Sequence, residues 1–566
     1  MAQKAAVEAA ILLALAGAVW LLYSPALRLG WTDDDFVHLR FLLTCRPFWY
    51  FFDAGAYREF PGHVLTPLLF FSLDVDRRLF GLAPHAFYVH HLTALSLCTA
   101  ALYGALRVWL PRLWSAAGAW LFLAGPVTSS LAVSLPVRHY VEAVLLSALA
   151  LMAWAAALRR PPGTETCRPA WKAAWVSAGL YFAACFAKEI AVPLCVLLPL
   201  LPPPGNRQVR FRERIRLALP HAAALSLYLV IRHALLGTLL GGYGFTVRPA
   251  DIPSLLLRLP GKIAAELAAG RLSPAAAVFA LGLAAGILPL FLPPHGRRAA
   301  APTGLALLLA ILPIVPVSTL MHPRLAVPAW LVLAVAFAVG GSALAAAERQ
   351  GGHRLAAVAV IVACVSGFWL NRQAWSARFA EAERKTVENR FVLEMRKGDV
   401  LRQPLTLAAS LLEVEWMKER VLRRPRGGFW FQDDLYLCLH RGRLGRVWSY
   451  DPGARRLVEV TRRLPALRAR HCSSIRSGVP LRVSFQVVDK NLFWDLGPYR
   501  DGTYRFVVDD GGQAFEMPRS AGFRAQGRRV LPPLRVQYTS PTGWTTYSPE
   551  LRPLLIEGWS LDWSRP

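Results

Sequence analysis

The chain has 566 residues, of which 55% are hydrophobic and only 18% charged, and its mean hydropathy is +0.35. A soluble globular protein carries roughly 25% charged residues, so this composition excludes an ordinary soluble protein and predicts a polytopic membrane protein. The formal net charge of +28 falls largely in short loops between apolar segments, which is the pattern that fixes membrane orientation. It does not form the basic stripe with interleaved aromatic residues that would indicate a nucleic-acid partner.

Apolar segments of about 17 to 25 residues follow one another as far as Leu370 and predict about eleven transmembrane helices. The first runs from Ala6 to Leu27 and has no small-residue cleavage site before Trp31, so it is predicted to remain as a span. A shorter apolar piece, Val64–Leu73, is predicted to lie at the membrane surface. The other predicted spans are Ala86–Val108, Ser115–Val133, Val137–Ala157, Ala173–Phe186, Ile190–Leu201, Leu217–Leu236, Pro274–Leu292, Gly304–Thr319, Ala326–Ala347 and Ala356–Leu370.

Arginine residues mark alternate loops between these spans, and the positive-inside rule places such loops in the cytoplasm. They are Arg107 and Arg112, Arg159, Arg160 and Arg168, the group from Arg207 to Arg216, Arg297 and Arg298, and Arg349 and Arg354. The polar residues at the other span ends then share the extracytoplasmic face, and the chain after Leu370 lies there too. These residues are the triplet Asp33-Asp34-Asp35, Arg138-His139, Lys188-Glu189 and Met321-His322-Pro323-Arg324.

The composition changes after residue 370 and predicts two further regions. Residues 371–426 have helical spacing and form a predicted connector, and residues 427–566 form a predicted extracytoplasmic, β-rich, sandwich-like domain. Its strands alternate, as in Leu481–Val487, and the turn sequences Asp501-Gly502 and Asp510-Gly511-Gly512 predict hairpins. Cys438 and Cys472 in this domain are either one disulfide or two unpaired thiols.

The acidic triplet follows the first predicted span, where charge is costly unless it faces water, a cation or a substrate. A carboxylate here can act as a general base that deprotonates an acceptor hydroxyl for attack on an activated carbon. Three acids in a row also suit a divalent cation, so a metal bound by Asp33, Asp34 and Asp35 stays open. The remaining alternative is a solvated turn that keeps the segment out of lipid.

Cations lie on the same predicted face as the acids. Lys188 interrupts an apolar run and can neutralise a phosphate oxygen, while Glu189 can hold the lysine in place. The alternative is a hairpin apex in which the two residues pair only with each other. Arg138-His139 and His322-Pro323-Arg324 begin spans and offer further cations to an anionic head group, with snorkelling as the alternative for each pair alone.

A lipid-linked phosphate that carries a sugar fits an acidic cluster beside several cations at a membrane surface. The cations would neutralise the phosphate leaving group, and the carboxylate would activate the acceptor. The lipid tail would lie between spans, so neither a soluble nucleotide nor a glycine-rich phosphate loop is needed.

The residues in this order resemble the GT-C glycosyltransferases, and most closely the bacterial relatives of the protein O-mannosyltransferases that carry tetratricopeptide repeats. The resemblance covers most of residues 1–370. The matching segments are Asp34-Asp35-Phe36, Tyr57-Arg58, Leu73-Asp74-Val75-Asp76 with Leu79-Phe80-Gly81, His91-Leu92-Thr93, Arg138-His139, Ala187-Lys188-Glu189 and Arg324-Leu325-Ala326-Val327-Pro328. The insertion Glu59–His63 departs from the family pattern, and the β-rich domain replaces the repeats.

The resemblance implies an inverting transfer from a polyprenyl-phosphate-sugar to a glycan, lipid-linked glycan or protein at the extracytoplasmic face of a bacterial inner membrane. It implies Asp34 as the base and Asp35 as a residue that orients it or contacts the acceptor. It implies donor-phosphate contacts from Arg138, His139, Lys188, Glu189 and Arg324, and further substrate contacts from Arg58, His63, His91 and His322. No cofactor is expected apart from the possible divalent metal.

Two other classes of function compete with the enzyme. A transporter or flippase for lipid-linked saccharides would use the same cations, but it would place ionisable residues near the bilayer midplane rather than at one surface. A surface-assembly scaffold would act through its C-terminal domain.

Overall fold

The computed structural model describes most of the chain: residues 2–59, 64–159, 171–205, 209–239, 252–268, 273–291, 297–311, 323–346, 350–425, 427–440, 442–488, 491–524 and 530–565. The chain divides into two compact units. The first contains Met1–Leu29, Cys45–Leu240 and Pro253–Phe379, and the second contains Gly30–Thr44 and Ala380–Pro566. The acidic triplet, which the sequence placed with the predicted membrane domain, therefore groups with the C-terminal part of the chain.

The first unit is helical throughout its described residues. Its helices are α1 (Ala2–Tyr23), α3 (Ala54–Glu59), α4 (Pro67–Phe80), α5 (Pro84–Arg107), α6 (Arg112–Ala124), α7 (Thr128–Ala132), α8 (Arg138–Ala157), α9 (Trp171–Ala187), α10 (Leu194–Leu197), α11 (Phe211–Leu236), α12 (Ile252–Leu267), α13 (Pro274–Ile287), α14 (Arg297–Ile311), α15 (Val327–Ala346) and the first part of α16 (Gln350–Glu394). The remaining α-helices are α2 (Asp33–Thr44), α17 (Ala408–Trp416), α18 (Leu435–Leu439) and α19 (Leu464–Ser474), and they belong to the second unit.

Seven helical segments of the described chain are long and apolar enough to cross a membrane, which confirms the prediction of a mainly α, multi-pass membrane protein. They are Gln3–Arg28, Pro84–Arg107, Leu135–Ala157, Phe211–Leu236, Pro274–Phe291, Pro323–Ala346 and Ala356–Glu394.

Two predicted spans are broken by proline or glycine. Ser115–Val133 is divided between α6 and α7 at Gly125-Pro126, because proline has no N–H to donate to a helical hydrogen bond. The predicted span Ile190–Leu201 consists of short helical turns interrupted by prolines, and part of Gly304–Thr319 lies outside the described residues.

Close packing of small residues joins the apolar helices. A Cβ atom added at Gly340 on α15 would lie 2.2 Å from the carbonyl oxygen of Gly286 on α13, so the two backbones approach too closely for any side chain there. Small residues at such crossings are typical of helices packed in a membrane. Larger side chains fill the space between α8, α9 and α11, where Trp154, Ala174 and Leu217 are buried together.

A mixed four-stranded sheet comes first in the second unit. Its strands are β1 (Asp399–Arg402), β2 (Phe429–Phe431), β3 (Arg446–Asp451) and β4 (Arg456–Glu459), in the order β2-β1-β3-β4. Strand β1 pairs in parallel with β2 and β3. It lies within the segment predicted to be a helical connector, where only four residues are too few to show the alternation of a strand.

A two-sheet sandwich follows and confirms the predicted β-rich domain. Its strands are β5 (Leu481–Val488), β6 (Asn491–Gly497), β7 (Thr503–Val508), β8 (Gln513–Met517), β9 (Ser520–Arg524), β10 (Leu534–Thr539), β11 (Thr545–Tyr547) and β12 (Ser560–Arg565), in the orders β11-β10-β7-β8 and β12-β5-β6-β9. The alternating residues of β5, from Leu481 to Val487, face the core as predicted.

One of the two predicted hairpins is wrong. Asp510-Gly511-Gly512 joins the antiparallel strands β7 and β8 as expected. Asp501-Gly502 instead connects β6 to β7, which belong to different sheets. A turn sequence specifies a change of direction, and the packing of the two sheets decides which strand becomes the neighbour.

Cys438 on α18 and Cys472 on α19 form a disulfide with a Cα–Cα distance of 5.9 Å, which resolves the two alternatives left by the sequence. Structural disulfides persist in oxidising compartments and are rare in the cytosol. The bond joins α18 to α19 within this domain.

Candidate functional site

The acidic triplet forms the first turn of α2. Oδ2 of Asp35 accepts hydrogen bonds from the backbone N–H of Thr32 at 2.6 Å and from its hydroxyl at 3.0 Å. This carboxylate-to-backbone contact is one half of a capping box, which satisfies donors that the first turn leaves without helical partners. Asp35 is only 2% exposed, and burial raises its pKa to about 8 although the donors of Thr32 favour the ionised form. This carboxyl group therefore stabilises the start of the helix.

Asp33 is held by the end of α16. Its Oδ2 accepts from Nζ of Lys385 at 2.5 Å, and the same ammonium group contacts Glu381 one turn earlier at 2.8 Å. The Asp33 side chain is 24% exposed and the Lys385 side chain 16% exposed, so solvent only partly screens the pair. The contact fixes the first turn of α2 against α16.

Backbone contacts reinforce this attachment within the second unit. Nδ2 of Asn389 donates to the carbonyl of Trp31 at 3.0 Å, and the N–H of Gly30 donates to the hydroxyl of Thr386 at the same distance. A Cβ at Gly30 would lie 2.9 Å from the methyl group of Thr386, so the close approach favours glycine. The segment before the acids is therefore rigidly placed.

The other end of α2 is tied to α17. Both oxygens of Glu413 accept from Nη1 of Arg40, at 2.8 and 3.0 Å, and the guanidinium lies 5.3 Å from the ring centre of Trp416. Contacts at both ends hold α2 in one orientation. The contacts that Lys385 and Asn389 make with the segment before and at the acids were not predicted from the sequence. Glu381, Lys385 and Asn389 do recur every four residues, so they share one face of α16.

Asp34 is partly exposed, as Asp33 is, whereas Asp35 is buried. Its carbonyl oxygen lies 2.6 Å from Nδ1 of His38, one turn along α2. Asp34 therefore lies on a helical turn that the contacts of Asp33 and Asp35 anchor.

Arg138 lies in the first unit and is completely buried. Its Nη1 donates to Oδ2 of Asp76 at 2.6 Å and to the hydroxyl of Ser72 at 3.0 Å, and Nη2 donates to the carbonyl of Phe87 at 2.8 Å. Neither terminal nitrogen faces solvent where a donor phosphate could approach. The structure thus places this predicted phosphate contact in an internal ion pair with Asp76.

His90 extends this ion pair towards solvent. Its Nδ1 lies 2.6 Å from Oδ1 of Asp76, and its side chain is 39% exposed. Arg138 and His90 therefore share one buried carboxylate. The sequence contained a signal for Asp76, because it lies within the family-like segment Leu73–Leu82, but nothing in it indicated the pairing.

Lys188 and Glu189 pair directly, with 2.9 Å between Nζ and Oε1. Lys188 is 2% exposed and its Nζ lies 5.5 Å from the ring centre of Tyr140, whereas the Glu189 side chain is 32% exposed. Arg232 contributes a second positive charge near this glutamate. The carboxylate of Glu189 therefore has two cations near it, Lys188 and Arg232.

The other predicted contacts have varied surroundings. His139 is buried and its Nδ1 lies 2.5 Å from the carbonyl of Pro136. His91 is completely buried and its Nε2 lies 2.6 Å from the carbonyl oxygen of Leu131. Arg324 is half-buried in a single helical turn, Pro323–Ala326.

Three further predicted residues receive no side-chain description. Arg58 lies at the end of α3, where the backbone alone is described, and His63 and His322 lie outside the described residues. Within the described chain, no three His, Cys, Asp or Glu residues form a group that could hold a metal ion. The carboxylates of Asp33 and Asp35 instead contact Lys385 and Thr32, so the triplet does not have the arrangement of a divalent site.

No protein-family model matches the chain, and no curated protein matches it in sequence. Among solved structures, the chain is similar to ArnT from Cupriavidus metallidurans bound to undecaprenyl phosphate, with 14% identity, a TM-score of 0.43 and coverage of 74% of this chain and 85% of that one. The apo structure of the same ArnT gives 14% identity and a TM-score of 0.43 over 76% of this chain and 86% of that one.

A third similar structure is the Archaeoglobus fulgidus oligosaccharyltransferase tethered to an acceptor peptide. It gives 13% identity and a TM-score of 0.41, with coverage of 74% of this chain and 63% of that one.

Proposed function

We propose that the protein is an integral membrane glycosyltransferase that moves a sugar from a polyprenyl-phosphate-sugar to an extracytoplasmic acceptor, with inversion at the anomeric carbon. The observation that carries the proposal is the anchored, partly exposed Asp34 on the first turn of α2. It occurs directly after the first apolar helix, in the order of motifs that resembles this enzyme class. The disulfide between Cys438 and Cys472 supports an extracytoplasmic face.

In the proposed reaction, Asp34 accepts the proton of an acceptor hydroxyl as its oxygen attacks the anomeric carbon. The bond from that carbon to the phosphate oxygen breaks, and polyprenyl phosphate leaves with the bonding electrons. Asp33 and Asp35 act as positioning residues, because their carboxylates anchor the turn that carries Asp34. General-base catalysis of this kind contributes about 10²–10⁴-fold to rate.

Lys188 and Arg324 are the proposed donor-phosphate contacts. Lys188 belongs to a group that carries two cations around Glu189, and a positive charge stabilises a leaving phosphate. Arg138 is proposed instead to hold Asp76 and, through it, His90. The acids belong to the second compact unit and these cations to the first, so each role is assigned from the residue's own surroundings.

The deciding experiment incubates the purified protein with a panel of polyprenyl-phosphate sugars and measures release of polyprenyl phosphate. We expect release with at least one donor and a loss of about 10²-fold or more in Asp34→Asn. The matched control is Asp35→Asn, which should retain most of the activity. Full activity in Asp34→Asn would show that Asp34 is not the base. Transport of intact donor across vesicle membranes without release of polyprenyl phosphate would favour a flippase.

Replacing Lys188 tests the donor side separately. We expect Lys188→Ala to raise KM for the donor more than KM for the acceptor, because in the proposed arrangement the ammonium group contacts the donor phosphate and not the acceptor. Lys172→Ala, which alters an exposed lysine at the start of α9, provides the control. Equal changes in both KM values would argue against a phosphate contact.

A further inference from the structure

One sheet of the sandwich has an outer face that points away from the sandwich core. Along β10, Leu534 and Val536 enter that core, so the alternation of the strand directs Arg535 and Gln537 to the opposite side. Leu435 on α18 and Tyr547 on β11 pack together on this outer side. Part of the sheet is therefore covered by the helices of the preceding region.

A polar network makes this covered area rigid. The two oxygens of Asp433 accept from the hydroxyl of Tyr547 and from Nε2 of Gln537, each at 2.7 Å. Nε2 of Gln537 also lies 2.6 Å from the Tyr547 hydroxyl, and Nε2 of His471 lies 3.1 Å from it. Asp433 is 3% exposed, so its charge is used inside the network rather than offered to a ligand.

Beside the network is an open cavity of about 520 Å³. Its lining combines arginines, aromatic rings, a hydroxyl group and aliphatic side chains, and it includes no acidic residue. The lining includes Arg535, Tyr547, Ser548, Trp563, Arg565 and Leu439. Binding sites for small ligands usually have volumes of about 300–1,000 Å³, so the cavity suits one or two sugar units.

The two arginines of the lining, Arg535 and Arg565, differ in how many of their N–H groups donate hydrogen bonds. Arg565 donates to the carbonyl of Tyr547 at 3.0 Å and to the hydroxyl of Thr546 at 3.2 Å, and it lies 5.4 Å from the ring centre of Trp563. Arg535 faces Asp510 at 3.6 Å, and its buried Nε has no hydrogen-bond partner among the described residues. The Arg535 side chain remains 26% exposed and lines the open cavity, so its guanidinium group can bind an anion there.

We propose that this cavity binds an acidic saccharide unit, with Arg535 contacting its carboxylate and Trp563 packing against its ring. The guanidinium fork matches a carboxylate, and the aromatic and aliphatic lining suits the apolar face of a pyranose. The hydroxyl of Ser548 lies at the same cavity and suits the polar edge of a sugar. This binding does not depend on glycosyl transfer, so it can be tested whether or not the protein is an enzyme.

Isothermal titration of the full-length protein, in a detergent without a sugar head group, tests the proposal. The probes are digalacturonic acid and neutral galactobiose, which differ in their carboxylates. We expect digalacturonic acid to bind at least about tenfold more tightly, a difference of about 1.4 kcal/mol. Arg535→Gln should remove most of that difference, and Arg552→Gln, which alters an arginine 73% exposed outside the cavity lining, should leave it within about twofold.

Additional measurements separate binding from folding and from simple anion attraction. Arg535→Lys keeps the charge without the fork and should bind with intermediate affinity, provided that both variants unfold at the parent's temperature. Trp563→Phe should lessen the fluorescence change on binding while keeping the preference for the acid. Equal affinity for both sugars, unchanged binding in Arg535→Gln, or equal competition by inorganic phosphate would overturn the proposal, and Asp34→Asn should bind as the parent does.

Discussion

Two charged clusters in this protein are built from similar residues but have different surroundings. In the first turn of α2, three consecutive acids divide their roles: Asp33 pairs with Lys385, Asp35 caps the helix, and Asp34 stays partly exposed. In the other cluster, Arg138 and Asp76 pair at 2.6 Å with the arginine completely buried. The first cluster leaves Asp34 partly exposed, whereas the second is a buried ion pair between α4 and α8.

The difference teaches that a charged motif does not reveal by itself whether its charge is available. Arg138-His139 and Asp34-Asp35 both resemble functional motifs of one enzyme class. Partners distant in sequence decide their use, since Asp76 lies 62 positions from Arg138 and Lys385 lies 352 positions from Asp33. A role predicted from the order of motifs can therefore be assigned only after the partner of each side chain is known.

The largest effect is expected from breaking the buried pair. Arg138→Ala leaves the carboxylate of Asp76 buried without its cation, so we expect the free energy of unfolding to fall by about 3–5 kcal/mol. Thermal unfolding in detergent, followed by circular dichroism, measures the change.

The matched control replaces both partners. Arg138→Met combined with Asp76→Leu removes the pair without leaving a buried charge, so it should recover much of the loss. If Arg138→Ala unfolds at the parent's temperature, the pair is not structural and the contrast between the two clusters fails.

A smaller effect with a defined pH dependence is expected from Asp35→Asn. Burial raises the pKa of Asp35 from 3.8 to about 8, so its folded form binds more protons than the unfolded chain between these values. Its contribution to stability is therefore complete below the lower pKa and is lost as pH rises through the higher one. The amide in the Asp35→Asn variant cannot titrate, so the parent should lose on the order of 3 kcal/mol relative to the variant between about pH 5 and about pH 8.

Unfolding temperatures across that pH range measure this difference, and activity is measured in parallel. The variant should retain transfer, because the amide oxygen can still accept the hydrogen bonds of Thr32. Parallel profiles of unfolding temperature against pH for parent and variant would contradict the burial of Asp35. Loss of transfer in a normally folded variant would indicate that Asp35 takes part in the reaction.

The smallest effect is expected from Thr32→Ala. The change removes the hydroxyl that donates to Asp35 at 3.0 Å, and loss of such a hydrogen bond costs about 0.5–1.5 kcal/mol. Thr32→Ser keeps the hydroxyl and should unfold close to the parent's temperature. If Thr32→Ser loses as much stability as Thr32→Ala, then the methyl group rather than the hydroxyl of Thr32 stabilises the protein.

Local pattern was sufficient for much of the fold. The apolar lengths predicted the membrane class, and the alternation from Leu481 to Val487 predicted a strand of the sandwich. Prediction from local pattern failed where the structure of a short or interrupted element depends on contacts with other segments. Strand β1 is too short to alternate visibly, and the turn at Asp501-Gly502 does not specify in which sheet the next strand pairs.

The sequence by itself determined which segments are apolar enough for a membrane, where the acidic triplet stands in the chain, and which residues carry charge. Tertiary structure decided which of those charges are used internally, because burial and partner distance depend on segments that meet only after folding. Asp34 and Asp35 are adjacent in sequence and identical in chemistry, yet the fold buries one against Thr32 and leaves the other partly exposed. The same packing joined Cys438 to Cys472 and directed Arg535 to the outer face of its sheet.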